Sequence, residues 1–377
     1  MSTPEPGSPR VPVSARILSL DQFRGYTVLG MFVVNFLGSF AVVPAILKHH
    51  NTYCSYADTI MPQFFFAVGF AYRLTFLRRS ERSPGWPVYA HYVKRSLGLI
   101  ALGALLYVGG AAFDEWLRPP SPQAAPFLVR ALRTELFQAL VHIGVTCLWI
   151  MPVIGKPPSV RVAFALASAA IHLGLSHGFY YEWVMTAPGI DGGPLGFLSW
   201  TTPTLAGSLA HDFVRDGDRI KAVARLGRWG GVLMLAGYAL SCLNLVTPPN
   251  CPTGNGLGAW LIEPPFVPPS RPVNLWTMNQ QAGSLSYLTF GAGLSMALYA
   301  LFVWACDVRG LQVGVFRTLG ANALAGYVIH GLVERLIKPW THPDMSAVAT
   351  LTALAVFLAI CYGCLRLLET RGIFLRL

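Results

Sequence analysis

Residues 47–69 read LKHHNTYCSYADTIMPQFFFAVG. Two adjacent histidines, His49 and His50, and an aspartate, Asp58, sit in a short polar joint with an apolar run on each side. The runs cover about 25–47 and 58–77, and each approaches the ~20 residues that cross a bilayer as a helix. The stretch therefore reads as two membrane-crossing helices joined at a membrane boundary, with three titratable groups in the joint.

Outward from this pair, apolar runs recur at about 92–112, 137–154, 160–177, 195–213, 229–247, 283–305, 317–338 and 347–367. Together they predict about ten spans. Composition agrees. The chain is 54% hydrophobic and 12% charged, whereas soluble domains carry roughly a quarter charged residues. Its mean hydropathy is +0.50. Lipid forces backbone hydrogen bonds to close within each segment, and the alternation of β-barrel strands is absent. The expected fold class is all-α, a polytopic integral membrane protein. Residues 1–15, rich in Pro and Ser, read as a flexible cytoplasmic tail without a signal peptide, and 16–377 as one transmembrane domain.

Orientation follows from the Lys/Arg bias. Ten spans with both termini cytoplasmic leave only Lys48, Arg118, Arg130, Arg133, Arg271, Arg335 and Lys338 of the 28 basic residues outside. The histidine loop then faces outward. The net charge of +11 belongs mostly to the inner face, where it reads as topology and anionic lipid. The expected partners are membrane lipids, with no nucleic acid; a homodimer stays open. A compact chain without an added outer domain points to a bacterial inner membrane. The seven cysteines show no metal spacing, and no metal is expected. Cys242 and Cys251 flank one outer end, where pairing is open in an oxidising compartment. Cys361 and Cys364 sit in an apolar helix and read as packing. The proline-rich stretch 248–273 reads as a shaped lid or substrate wall, or else as a plain connector.

Several polar side chains interrupt the apolar runs. Asp21 and Arg24 stand at the inner entry of the first span, and Asn35 lies roughly 16 Å further along. An asparagine in lipid needs a partner: either another helix or a carbonyl on a pathway. Asp58 reads as a helix cap or as the carboxylate that orients a histidine. Histidine titrates near neutrality and serves as base or nucleophile. RTLGANALAGYVIHGLVERL adds Asn322, Tyr327 and His330, with Asn322 and His330 about two helical turns apart. A transporter or flippase for a sugar or lipid also uses such residues.

Three blocks carry a resemblance. SLDQFRG followed by MFVVN, ADTIMPQFFFAVG, and LGANALAGYVIH are similar to the motifs of the heparan-α-glucosaminide N-acetyltransferase family of transmembrane acyltransferases. The middle matches less well: ELFQALVHIG has Ala139 where the family pattern has arginine. The resemblance implies acetyl transfer from cytoplasmic acetyl-CoA, as co-substrate, to an amino sugar or other glycan acceptor outside. It implies catalytic roles for His49, Asn35 and Asp58. The histidine is doubled and its spacing to the aspartate is shorter than in the family, so His50 competes with His49. Asp21, Arg24, Asn322 and His330 fall to the cofactor side. Chemically, Asn35 suits a developing oxyanion, a neutral histidine suits the amine proton, and the basic inner face suits phosphates. Direct transfer and an acetyl-histidine intermediate both fit.

Overall fold

The computed structural model describes residues 17–117, 126–186, 189, 191–251 and 257–375; the expected tail at 1–15 lies outside them. Among the described residues every regular element is helical. The α-helices are α1 Leu18–Leu37, α2 Ile60–Arg82, α3 Trp86–Leu117, α4 Phe127–Arg130, α5 Ala139–Ile150, α6 Pro158–Leu175, α7 Tyr181–Met185, α8 Phe197–Arg215, α9 Arg219–Cys242, α10 Leu285–Phe302, α11 Gly314–Ala321, α12 Ala323–Ile337 and α13 Ala347–Thr370.

Among the described residues six helices are long and apolar enough to cross a membrane: Ala57–Arg82, Trp86–Leu117, Pro158–Met185, Arg219–Val246, Leu285–Val308 and Ala347–Thr370. The other expected spans are helical but miss that standard. Helix α5 is apolar but short, and α11–α12 breaks at Asn322. Helices α1 and α8 carry polar residues such as Gln22, Thr27, Thr201 and Ser208, all buried in protein. The difference has a physical cause. Helices facing lipid must be apolar, whereas helices surrounded by protein need not be. Only 17% of the apolar window in Pro158–Met185 is buried, against 61% in Leu285–Val308.

The first expected span also shifts. Helix α1 ends at Leu37 and is followed by Gly38, so residues 38–47 belong to the joint rather than the span. Phe40 and Val43 from this segment are buried in the core, which folds the joint back over the helix ends. Helices α2 and α8 pack backbone to backbone. A Cβ on Gly69 would lie 1.7 Å from the Thr204 carbonyl oxygen, and one on Gly207 would lie 1.9 Å from that of Phe66. Small residues are what permit such approach in a membrane bundle.

At the end of α2 away from Asp58, Arg73 Nε donates to Asp212 Oδ1 at 3.1 Å and its Nη1 donates to the Ile154 carbonyl at 2.6 Å. Arg161 donates to the same aspartate and to Ser208 Oγ. This ionic knot ties α2, α6 and α8 to the 151–157 turn. Arg73 is thereby spent in holding helices together and is not free to meet a phosphate. Arg78, Arg79, Arg82 and Arg95 instead line a cleft of about 360 Å³ with His91 and Tyr92.

The described part of the 248–273 stretch packs onto the histidine joint: Phe266 N–H donates to the Cys54 carbonyl at 3.0 Å. All seven cysteines are free, Cys242 and Cys251 included; Cys361 is buried and Cys364 exposed.

Candidate active site

The joint presents its two histidines in opposite directions. Ser55 Oγ donates to the Lys48 carbonyl at 2.7 Å, and Tyr56 N–H donates to that of Ile46 at 3.1 Å. These bonds close the loop and place His49 over the start of α2. His49 Nδ1 meets Asp58 Oδ1 at 2.8 Å. His50 turns away, with Nε2–H donating to the Ala45 carbonyl at 2.7 Å and its ring stacked on Tyr53.

Asp58 is fully buried in the short turn Ala57–Thr59 that leads into α2. Its carboxylate does not cap the helix. Oδ2 accepts from Ser55 N–H at 2.8 Å, while Asp58 N–H donates to Ser55 Oγ at 3.3 Å. Tyr287 O–H donates to the Asp58 carbonyl at 2.6 Å. The carboxylate is thus fixed from behind and offers one oxygen to the imidazole.

Beyond His49 the line continues. His49 Nε2 lies 3.4 Å from Asn35 Oδ1, and Asn35 Nδ2 lies 3.2 Å from His330 Nε2. His330 Nδ1 faces the Gly326 carbonyl at 3.3 Å. A carbonyl only accepts, so His330 carries its hydrogen on Nδ1 and leaves Nε2 bare. The bare nitrogen must then receive Asn35 Nδ2–H, which turns Asn35 Oδ1 toward His49. Both nitrogens of His49 consequently face acceptors. In neutral His49 the carboxylate holds the hydrogen on Nδ1 and leaves Nε2 as the basic atom. The sequence assigned His330 to the cofactor; the structure places it behind Asn35.

Asn35, His49, Asp58 and His330 therefore come together. Asn322 does not join them. The helix breaks there, so two turns of spacing no longer put it on the face of His330, and its side chain bonds Ile373 O and Leu375 N–H at 2.9 and 3.0 Å. Asp21 and Arg24 pair with each other at 3.8 Å near the start of α1, at the end of that helix away from Asn35. Among the described residues no group of His, Cys, Asp and Glu is arranged to hold a metal.

Sequence reading missed Asp191, which is 3% exposed. Gln280 Nε2–H donates to its Oδ1 at 3.0 Å, and Trp200 Nε1–H to its carbonyl at 2.8 Å. Burial pushes its carboxyl up to about 6; Gln280 and His49 pull the other way, and Asp58 pushes up further. The sequence did hold a signal: GIDGGP sets one acid in a turn, in a chain with only 17 Asp and Glu.

A helical membrane bundle with an oriented His–Asp pair and a neighbouring amide at one end has the parts of a group-transfer enzyme. The family model for the heparan-alpha-glucosaminide N-acetyltransferase catalytic region matches residues 16–237, more than half of the chain, and the chain belongs to that family. It is on this ground a transmembrane N-acetyltransferase. No curated relative matches the chain.

Proposed function

We propose that the protein transfers an acetyl group from acetyl-CoA, bound at the basic end of the bundle, to the amine of an amino sugar or related glycan at the His49 end. The observation that carries this reading is His49 held between Asp58 and Asn35. The thioester supplies an activated acetyl group. Asp58 keeps the hydrogen of neutral His49 on Nδ1, so Nε2 takes the proton from the attacking amine. Asn35 Oδ1 receives the new N–H and steadies the imidazolium. Asn35 spends one amide hydrogen on His330, and the second donates to the oxygen that gains charge at the acetyl carbon. As the new C–N bond forms and the C–S bond breaks, the proton passes from His49 to the departing thiolate. His330 is a positioning residue, acting through Asn35. Arg24 and the cleft of Arg78, Arg79, Arg82 and Arg95 are the groups suited to the phosphates of the donor.

The assay is direct. Purified protein with labelled acetyl-CoA and a panel of amino sugars is expected to label the amine and release CoA. Sugar or lipid movement in proteoliposomes, with no acetyl transfer and no CoA binding, replaces this reading with that of a carrier.

On this reading the basic end is cytoplasmic, the histidine joint faces outward, and the membrane is a bacterial inner membrane. In a Cys251→Ser background, cysteine introduced at Asn51 is expected to react with an impermeant maleimide in intact cells. Reaction only after permeabilisation reverses the orientation.

A further inference from the structure

Asp191 is a buried acid with no part in the steps above. Its backbone is tightly set. Gly192 has φ of +86°, and a Cβ there would stand 3.2 Å from Gly196 Cα and 3.3 Å from Gly283 Cα. No other residue fits this turn without displacing backbone. Gln280, only 4% exposed, occupies Asp191 Oδ1. The hydrogen bond from Gln280 is the one shown for the Asp191 carboxylate among the described residues. Gln280 Oε1 is itself buried without a partner. Gln280 Oε1 therefore presents an acceptor with nothing to accept, beside a carboxylate held by a single hydrogen bond. Leaving such groups empty costs free energy, and a buried carboxylate without a cation costs more.

The position of this pair is informative. Asp191 interacts electrostatically with His49 and Asp58 and with Tyr107 and Tyr327. The Tyr107 and Tyr327 hydroxyls bond to each other. Tyr107 also lines a cavity of about 600 Å³ whose wall holds Asp114, Glu115 and Glu135 together with Arg130 and Arg335. That volume falls in the usual range for small-molecule sites.

We propose that Asp191 and Gln280 form a subsite for the protonated primary amine of the acceptor. An ammonium carries three N–H donors and no acceptor, so it satisfies Asp191 Oδ2 and Gln280 Oε1 together. A hydroxyl in its place brings one donor and no charge. The subsite selects amines over alcohols; the docked ammonium first releases one proton to solvent, and the neutral amine then attacks and gives its second proton to His49. Naming the ligand as the acceptor rests on the acetyltransferase reading; the ammonium chemistry does not.

The test measures equilibrium binding of glucosamine and of glucose to the full chain purified in detergent, without donor, at neutral pH. Wild-type protein is expected to bind glucosamine about tenfold or more tighter than glucose, the scale of one charge-assisted hydrogen bond. Asp191→Asn keeps the Gln280 bond and is expected to erase the preference; Asp191→Glu is expected to keep part of it. Melting curves report that each variant is folded. The preference is expected to fade as pH falls through about 6, where Asp191 gains its proton. His49, Asp58, Tyr287, Tyr107 and Tyr327 also face Asp191, and all of them persist in Asp191→Asn, so the component missing from that variant belongs to Asp191. An equal preference in Asp191→Asn, or none in the wild type, overturns the subsite. Transfer is scored separately. Acetylation with an unchanged KM for the amine in Asp191→Asn sinks the subsite and leaves the function standing. Amine binding through Asp191 without any transfer does the reverse.

Discussion

His49→Ala is expected to lower acetyl transfer by about 10²–10⁴-fold, the usual worth of a positioned base, while acetyl-CoA binding is retained. The argument is geometric. His49 is the imidazole whose Nδ1 is held by Asp58 at 2.8 Å, with Nε2 turned toward Asn35. Its side chain is 32% exposed, so an acceptor has access to it. The groups suited to phosphates, Arg24 and the arginine cleft, lie at the opposite end of the bundle, so donor affinity does not pass through the imidazole. His50→Ala is expected to stay within a few-fold of wild type. That ring braces the joint by its bond to Ala45 and its stacking on Tyr53, and both contacts point away from Asp58. Turnover with each amine, and CoA affinity by direct titration, distinguish the two. A dead His50→Ala beside an active His49→Ala exchanges their roles. Full activity in both and in the double variant removes the joint from catalysis.

Much of the site was legible because its parts are local. Asp58 follows His49 by nine residues in one joint, and Asn35 lies in the helix that leads to it. What the sequence left open was which histidine serves, because adjacent residues point oppositely once the loop is closed by Ser55 and Tyr56. The role of His330 was displaced for a related reason. Its contact with Asn35 joins residues 295 apart, and no local spacing encodes it. The Asp191–Gln280 pair, 89 residues apart, is still less visible. The helical class was legible from hydropathy, and the ten expected spans all fall on helices, of which six among the described residues are long and apolar enough to cross a membrane. Hydropathy registers what faces lipid, and α1 and α8 face protein. The expected face shared by Asn322 and His330 assumed an unbroken helix, which the C-terminal segment interrupts by bonding to Asn322.

Asp58→Asn is expected to be nearly as damaging as loss of His49, for a reason that the neighbouring hydrogen bonds dictate. Ser55 N–H donates to Oδ2 at 2.8 Å, so the oxygen of an asparagine in this place must take that position. Its amide nitrogen is then left facing His49 Nδ1. An amide nitrogen only donates, so Nδ1 must become the bare nitrogen and the hydrogen moves to Nε2. Asn35 Oδ1 waits there at 3.4 Å and holds it. The tautomer is now wrong at both ends, and the atom meant to receive the amine proton is blocked. Forcing the wrong histidine tautomer in a comparable triad costs about 10⁴ in kcat, and a loss of about 10³–10⁴ is expected here. Folding is expected to survive, since the shape and the Ser55 bond are kept and a buried charge is removed. Asp58→Ala provides the contrast. It leaves Nδ1 without a partner, so the tautomer with hydrogen on Nδ1 is no longer opposed by a donor there and only the long Asn35 contact at 3.4 Å biases the ring; it is expected to retain more turnover than Asp58→Asn despite the cavity it opens. That order, alanine above asparagine in kcat with equal acetyl-CoA affinity, is the signature of tautomer control. Asparagine within tenfold of wild type, or above alanine, would mean that Asp58 supports the joint without setting the proton on His49.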